Sequence, residues 1–218
     1  MTPRTRGGRL MIAIVAGLAG GAALGAVSAA GRGSGQGGLS FWLENVGGLW
    51  VAAAFAVGAF SRRRLSGLVS GAVAMVGAVV VYDVYGQVRH GLAIPAEGSA
   101  PSPMFHVRPF WLIVGLVVGL VFGALGGWWG EQPVHAWLPA GLAGGVIMGE
   151  ILALSVGGLP HPMFSSTLAL VQAAGGLAGA SVLGGREGWW QAAALALAVG
   201  GAIGVVELAT GLPSRLIW

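Results

Sequence analysis

The chain has 218 residues, of which 56% are hydrophobic and only 8% are charged, whereas a soluble domain carries about 25% charged residues. Its net charge of +4 comes from eleven arginines with no lysine, and we assign it to loops rather than to a nucleic-acid surface. The chain has no cysteine, which excludes disulfides, thiolate metal sites and cysteine nucleophiles. We therefore predict an all-α integral membrane protein, a single domain of residues 1–218 that contacts the lipid bilayer and binds no nucleic acid.

Seven apolar stretches alternate with short polar segments along the chain. Each is close to the ~20 residues that an α-helix needs to cross a bilayer. The first stretch could be a signal peptide, but it is too long for the apolar core of one. We predict a seven-transmembrane helix bundle with spans at residues 10–30, 40–60, 65–86, 109–129, 137–158, 163–184 and 189–212.

The placement of arginine predicts the orientation of this bundle. With the N-terminus cytoplasmic, the inner segments hold seven arginines, including the run Arg62-Arg63-Arg64, and the outer segments hold four. Basic residues are enriched on the cytoplasmic side of membrane proteins. We predict a cytoplasmic N-terminus and a C-terminus outside. The abundance of Arg, Ala and Gly is typical of a bacterial genome of high GC content, so we predict a multi-pass protein of the bacterial inner (plasma) membrane.

Glycine spacing predicts where two of the helices pack closely. Small residues four apart form a smooth ridge that lets two membrane helices approach each other. The predicted fourth helix has such a ridge, and the first helix has a weaker one. The ridge on the fourth helix consists of Gly115, Gly119, Gly123 and Gly127, and the weaker one consists of Gly17-Leu18-Ala19-Gly20-Gly21 with Gly25.

Four acids inside the predicted spans are the candidate catalytic residues. They are Glu44, Asp83, Glu150 and Glu207. With the predicted orientation, all four lie in the outer half of the membrane, roughly 5–12 Å below its boundary at 1.5 Å per residue. An ionisable group at this depth is costly and indicates a functional site. The alternative for each is a structural role near interfacial water, which Glu150 fits least because it is deepest.

None of these spans contains a basic residue that could neutralise the acids. Burial and a second nearby carboxylate both disfavour the charged form of a carboxyl group. We therefore expect at least one of the four acids to be neutral near pH 7. A neutral carboxyl in a dry apolar pocket can act as a general acid.

Side chains at depths similar to the acids could form the walls of a pocket. The two amides would supply hydrogen bonds, and the aromatic rings and the methionine would supply apolar surface, although aromatic residues also form interfacial belts. We predict as substrate-binding residues Trp42, Asn45, Trp50, Tyr82, Tyr85, Trp111, Met148 and Gln172. The histidines lack metal-ligand spacing, and nucleotide-binding and hydrolase motifs are absent. We predict no metal and no cofactor.

A chain of this length with seven spans, an acid on an early helix and an acid on the last resembles the integral-membrane terpene cyclases. These include fungal meroterpenoid cyclases and small bacterial cyclases of indole sesquiterpenoid (drimentine-type) pathways. The stretch Phe41-Trp42-Leu43-Glu44-Asn45 through Leu49-Trp50 also looks like a widespread family of small, uncharacterised bacterial membrane proteins. The terpene cyclase resemblance implies an isoprenoid or prenylated substrate, acid-initiated cyclisation, and Glu44 and Glu207 as the matching acids. Asp83 and Glu150 go beyond that pattern.

Two other classes of function remain open at this point. A proton-coupled small-molecule transporter would also use membrane acids, with Glu150 as the proton carrier. A structural or assembly protein would use them only to support helix contacts. The transporter predicts water access from both sides, whereas the cyclase predicts one closed pocket. The sequence does not specify the oligomeric state.

Overall fold

The apolar stretches fold into seven α-helices in the part of the chain that the computed structural model describes, residues 4–30, 47–90, 109–156 and 166–210. A single 3-10 turn, Pro133–His135, joins the fourth helix to the fifth. The helices are α1 (Arg4–Ala30), α2 (Gly47–Ser61), α3 (Arg64–His90), α4 (Pro109–Glu131), α5 (Trp137–Val156), α6 (Ser166–Leu183) and α7 (Gly185–Thr210). The predicted all-α class is confirmed for these residues.

Residues with positive φ lie at two of the helix junctions. Arg62, between α2 and α3, has a φ of 50°, and Gly185, the first residue of α7, has a φ of 78°. A residue in the left-handed region at this position ends a helix and lets the chain reverse direction. At the start of α4, Pro109 occupies the first helical turn, where the missing N–H costs nothing.

Five helices in the described part of the chain are long and apolar enough to cross a membrane: Met11–Ala30, Arg64–Val88, Pro109–Glu131, Trp137–Leu154 and Gly185–Thr210. Shorter apolar helices cover Gly47–Ser61 and Ala169–Leu183. Large apolar side chains such as Met11, Ile113, Leu170 and Leu208 are exposed on the outside of the bundle. An all-round apolar helix surface suits lipid rather than water. The chain therefore has the features of a multi-pass membrane protein.

The predicted glycine ridge on α4 is confirmed as the contact with α3. Gly119 packs on Gly71, and Gly123 packs on both Gly67 and Gly71. A Cβ atom at Gly123 would lie 2.9 Å from the Cα atom of Gly71, closer than real Cβ atoms approach. The pairing also shows that α3 and α4 are antiparallel, because residue numbers rise on one helix as they fall on the other.

The weaker ridge on α1 is confirmed as well. Gly17 lies against Ser70 and Gly25 lies against Ala78. Both residue numbers rise together, so α1 and α3 are parallel. These contacts, with those of α2 against α1, α3 and α4, assemble the first four helices into one group.

The last three helices form a second group around α5. Gly141 packs on Ala192 and Gly149 packs on Gly200, so α5 and α7 run parallel. In contrast, α6 runs antiparallel to α5, with Gly144 against Gly176. The two groups meet where α5 contacts α2 and α4, and the indole Nε1 of Trp129 on α4 donates a hydrogen bond of 2.7 Å to the carbonyl oxygen of Leu183.

The alternating helix directions place chemically different residues at the two ends of the bundle. One end, here called the acid end, carries Asp83, Glu150 and Glu207 near the ends of α3, α5 and α7. The opposite end, here called the arginine end, carries Arg62, Arg63, Arg64 and Arg186. The sequence-based prediction that these three acids share one half of the bundle agrees with this arrangement.

Candidate functional site

Glu150 on α5 is the centre of a buried polar cluster at the acid end. Glu150 is only 8% exposed. The carboxylate Oε1 accepts a hydrogen bond of 2.7 Å from the backbone N–H of Gly47. Its Oε2 accepts one of 2.7 Å from the backbone N–H of Gly48 and another of 2.7 Å from Nε2 of Gln172. Glu150 therefore joins the start of α2 to the middle of α6.

The start of α2 explains why an acid belongs at this position. The first N–H groups of an α-helix have no partner within the helix, and the interior of a membrane provides no water to bind them. A carboxylate can accept from two such groups, and the positive end of the helix dipole favours its negative charge. Glu150 thus acts as a cap for α2, supplied from a helix about one hundred residues further along the chain.

Gly47 and Gly48 make room for this cap. A Cβ atom on Gly47 would lie 2.8 Å from Oε1 of Glu150, and one on Gly48 would lie 2.9 Å from Nε2 of Gln172. Contacts below 3.0 Å force a neighbouring group to move. Gly47 and Gly48 were not among the predicted site residues, because nothing in the sequence connects them to Glu150.

Gln172 completes the cluster and leaves one atom without a partner. Its Nε2 donates to Glu150 and also to the carbonyl oxygen of Ile147, at 3.2 Å. Because both partners accept, the orientation of the amide group is fixed. The other amide atom, Oε1, is buried and has no hydrogen-bond partner among the residues that the structure describes. A buried acceptor of this kind needs a donor, such as a hydroxyl or N–H group.

Glu207 lies near Glu150 along the bundle axis but on another helix interface. It is only 3% exposed. Gly200 and Gly204 on the same face of α7 pack against Met148 and Leu152 of α5, and Glu207 follows one turn later. Since α5 and α7 are parallel, Glu207 is closer to the acid end than Glu150 is.

Asp83 on α3 belongs to the first helix group and is also only 3% exposed. The adjacent Tyr82 makes an edge-to-face contact with Trp50 of α2, with ring centroids 6.3 Å apart. Trp50 is one turn after Gly47, so the first turn of α2 lies between the helices of Asp83 and Glu150. Among the described helices, α3 does not pack extensively against α5 or α7. Asp83 therefore lies on a different side of the bundle from Glu150 and Glu207.

The side chains that were predicted to form the walls of a pocket lie on several different helices. Met148 is buried between α5 and α7, and Trp111 pairs with Phe110 at a centroid distance of 5.2 Å. Tyr85 is 37% exposed. Gln172 contacts one of the predicted acids, Glu150, through a hydrogen bond of 2.7 Å. Three predicted site residues, Trp42, Glu44 and Asn45, lie outside the described residues.

The described residues contain no group of three or more His, Asp or Glu side chains that could hold a metal ion. The acids at the acid end lie on three different helices, α3, α5 and α7. Their carboxyl groups can accept hydrogen bonds and, when protonated, can donate a proton.

Comparison with known proteins identifies a family but no characterised relative. A family model described as a family of unknown function (DUF6518) matches residues 3–213, so the chain belongs to this family. No curated protein matches the chain. No solved structure matches it either.

Proposed function

We propose that this family member is a membrane-bound terpene cyclase that protonates an alkene or epoxide of a prenylated substrate. The observation that carries the proposal is the burial of Asp83, Glu150 and Glu207 at one end of the bundle. No arginine or lysine occurs within residues 65–88, 137–156 or 187–210, where these acids lie. Carboxyl groups buried among apolar helices are suited to proton transfer.

The contacts of Glu150 favour a positioning role for this residue. All three described partners donate to its carboxylate, so it accepts hydrogen bonds while it holds α2 and Gln172 in place. We assign proton donation to Asp83 or Glu207, and we retain Glu44 as the early-helix acid that the resemblance implies. Near Asp83, the rings of Tyr82 and Trp50 would stabilise a carbocation through their faces.

The proposed reaction is an isomerisation. The O–H group of the donor acid transfers its proton to an alkene carbon or an epoxide oxygen, and the carbocation that forms is attacked by an internal alkene. Each attack forms a ring C–C bond. A neighbouring carboxylate then removes a proton from the final cation and forms a new alkene. Substrate and product have equal mass, and the reaction requires no cofactor.

Incubation of the purified protein in lipid nanodiscs with farnesylated indoles and related prenylated compounds tests this proposal. We expect a new product of equal mass and different retention time by liquid chromatography–mass spectrometry. Replacing the donor (Asp83→Asn or Glu207→Gln) should abolish the product, and replacing a supporting acid should lower its rate by about 10²–10⁴-fold. Glu187→Gln, at an exposed acid of α7, is the matched control. If Asp83→Asn, Glu207→Gln and Glu44→Gln all leave the rate unchanged, the proposal fails.

A proton-coupled transporter is the second candidate, and the position of Glu150 favours it. Glu150 bonds to α2 of the first helix group and lies on α5 of the second. A proton on Glu150 would weaken this junction and could permit the two groups to move. Substrate-dependent proton flux across sealed vesicles, abolished by Glu150→Gln, would identify a transporter. A cyclase gives product formation without proton flux.

The orientation is part of the proposal. We propose that all seven helices cross a bacterial plasma membrane, with the arginine end cytoplasmic and the acid end outside. The concentration of arginines at one end of the bundle supports this direction. Reporter fusions should place Arg63 inside and residue 95 and the C-terminus outside. An outside signal at Arg63 would reverse the orientation.

A further inference from the structure

A groove at the arginine end, far from the buried acids, has the composition of an anion-binding site. It has a volume of about 850 Å³ and is lined by the turn between α2 and α3 and by the last residues of α4. The polar residues of its wall are Arg62, Arg63, Arg64, Ser66, Glu131 and Gln132. Three arginines oppose one glutamate in this groove.

Arg64 is already engaged within the protein. Its guanidinium lies over the ring of Trp128, 4.3 Å from the centroid. Its Nη2 donates to Oε1 of Gln132 at 3.3 Å, and its Nε lies 3.8 Å from Oε2 of Glu131. The negative charge of Glu131 is therefore balanced by Arg64. The positive charges of Arg62 and Arg63 remain available in the groove. Neither guanidinium has a side-chain partner among the described residues.

The turn that carries these two arginines is held in a defined shape. The hydroxyl of Ser61 donates to the carbonyl oxygen of Gly58 at 2.6 Å, and the N–H of Arg62 donates to the carbonyl oxygen of Ala59 at 3.2 Å. Gly130 of α4 faces the backbone of Arg62, where a Cβ atom would be 3.0 Å from the Cα atom of Arg62. The backbone positions of the two charges are thus largely set before a ligand binds.

Apolar side chains beside the groove indicate that the ligand has a hydrocarbon tail. Leu65 lines the groove and directly follows the arginine run, whereas Phe60 lies two residues before the run. The two side chains are 80% and 81% exposed. They lie at the ends of apolar helices, where a bilayer would place its acyl chains next to its headgroups. A free phosphate ion would contact the arginines but not these apolar side chains, whereas a phospholipid would contact the arginines and the apolar side chains.

We propose that this groove binds the phosphate headgroup of an anionic phospholipid. Arg62 and Arg63 neutralise the headgroup, and Phe60 and Leu65 contact the first part of the acyl chains. Basic pockets between membrane helices on the cytoplasmic side commonly bind anionic lipids. The inference does not depend on the proposed cyclase activity, because it involves none of the acids.

Lipid binding to the delipidated protein in detergent provides the test. By native mass spectrometry, we expect phosphatidylglycerol to bind more tightly than phosphatidylcholine, which has the same phosphate but no net charge. The double variant Arg62→Gln/Arg63→Gln should weaken phosphatidylglycerol binding by about 30-fold, as expected for the loss of two charges near an anionic surface. Arg186→Gln, which removes an exposed arginine from the same end outside the groove, should change binding less than threefold.

Three results would overturn the proposal. Equal binding of the two lipids would show that the charge of the headgroup is not recognised. Equal losses in Arg186→Gln and the double variant would show a diffuse charge effect. Inorganic phosphate that competes at the same concentration as the lipid would show an anion site without lipid recognition. If the double variant does not fold, the salt dependence of the wild-type protein decides, since screening should weaken a charged site and unchanged binding at high salt would refute it.

Discussion

Glu150→Gln tests the role of the buried carboxylate as the cap of α2. The amide keeps one acceptor oxygen, which can still serve Gly48 and Gln172 at the position of Oε2. Its NH₂ group then faces the N–H of Gly47, so one buried hydrogen bond is lost. A buried donor left without a partner costs about 1–3 kcal/mol. Glu150→Ala leaves the N–H groups of Gly47 and Gly48 unpaired, whereas Nε2 of Gln172 keeps its bond to Ile147. We therefore expect it to cost at least about 2 kcal/mol.

The free energy of unfolding in mixed detergent micelles measures this cost, and hydrogen exchange locates it. We expect the amide of Gly47 to exchange faster in Glu150→Gln, and those of both Gly47 and Gly48 in Glu150→Ala. Glu187→Gln makes the same substitution at an exposed acid and should change stability by less than about 1 kcal/mol. If Glu150→Gln has the same free energy of unfolding and the same hydrogen-exchange rates as the wild-type protein, Glu150 does not act as the cap of α2.

Two further predictions concern helix packing. Gly176→Ala places a Cβ atom 2.8 Å from the carbonyl oxygen of Gly144 and should destabilise the fold by about 1–3 kcal/mol. The adjacent Gly175→Ala meets open space and should be neutral or stabilise by up to about 1 kcal/mol; equal effects in thermal unfolding would contradict the α5–α6 contact. Trp129→Phe removes the hydrogen bond to Leu183 and should cost about 1 kcal/mol, and an unchanged unfolding midpoint would show that this bond does not join the two helix groups.

The glycine ridges show which part of the fold could be predicted from the sequence. Close packing of helices in a membrane requires small residues at regular spacing, and this spacing is a local property of the chain. Gly119 and Gly123 of α4 and Gly17 and Gly25 of α1 therefore indicated real interfaces, both with α3. Their partner helix could not be predicted, because apolar helices present few features that distinguish one neighbour from another.

The polar cluster shows what local patterns leave open. Depth along a span identified Glu150 and Gln172 as candidates, and the two do contact each other. The contact with Gly47 and Gly48 depends on the packing of α5 against α2, a tertiary arrangement that hydropathy does not encode. Hydropathy predicted that the second span begins at Ser40, and residues 40–46 lie outside the described residues.

The central claim is that a buried carboxyl group at the acid end starts the reaction by donating a proton. Cyclisation in D₂O tests this claim most directly. The donor acid exchanges its proton with solvent between turnovers, so protonation of an alkene carbon would add one carbon-bound deuterium to each product molecule. For a farnesylated substrate, we predict a product one mass unit heavier than in H₂O, and its loss in the donor variant, Asp83→Asn or Glu207→Gln. A cyclic product of this alkene substrate without carbon-bound deuterium, or no product from any prenylated substrate, would contradict this account.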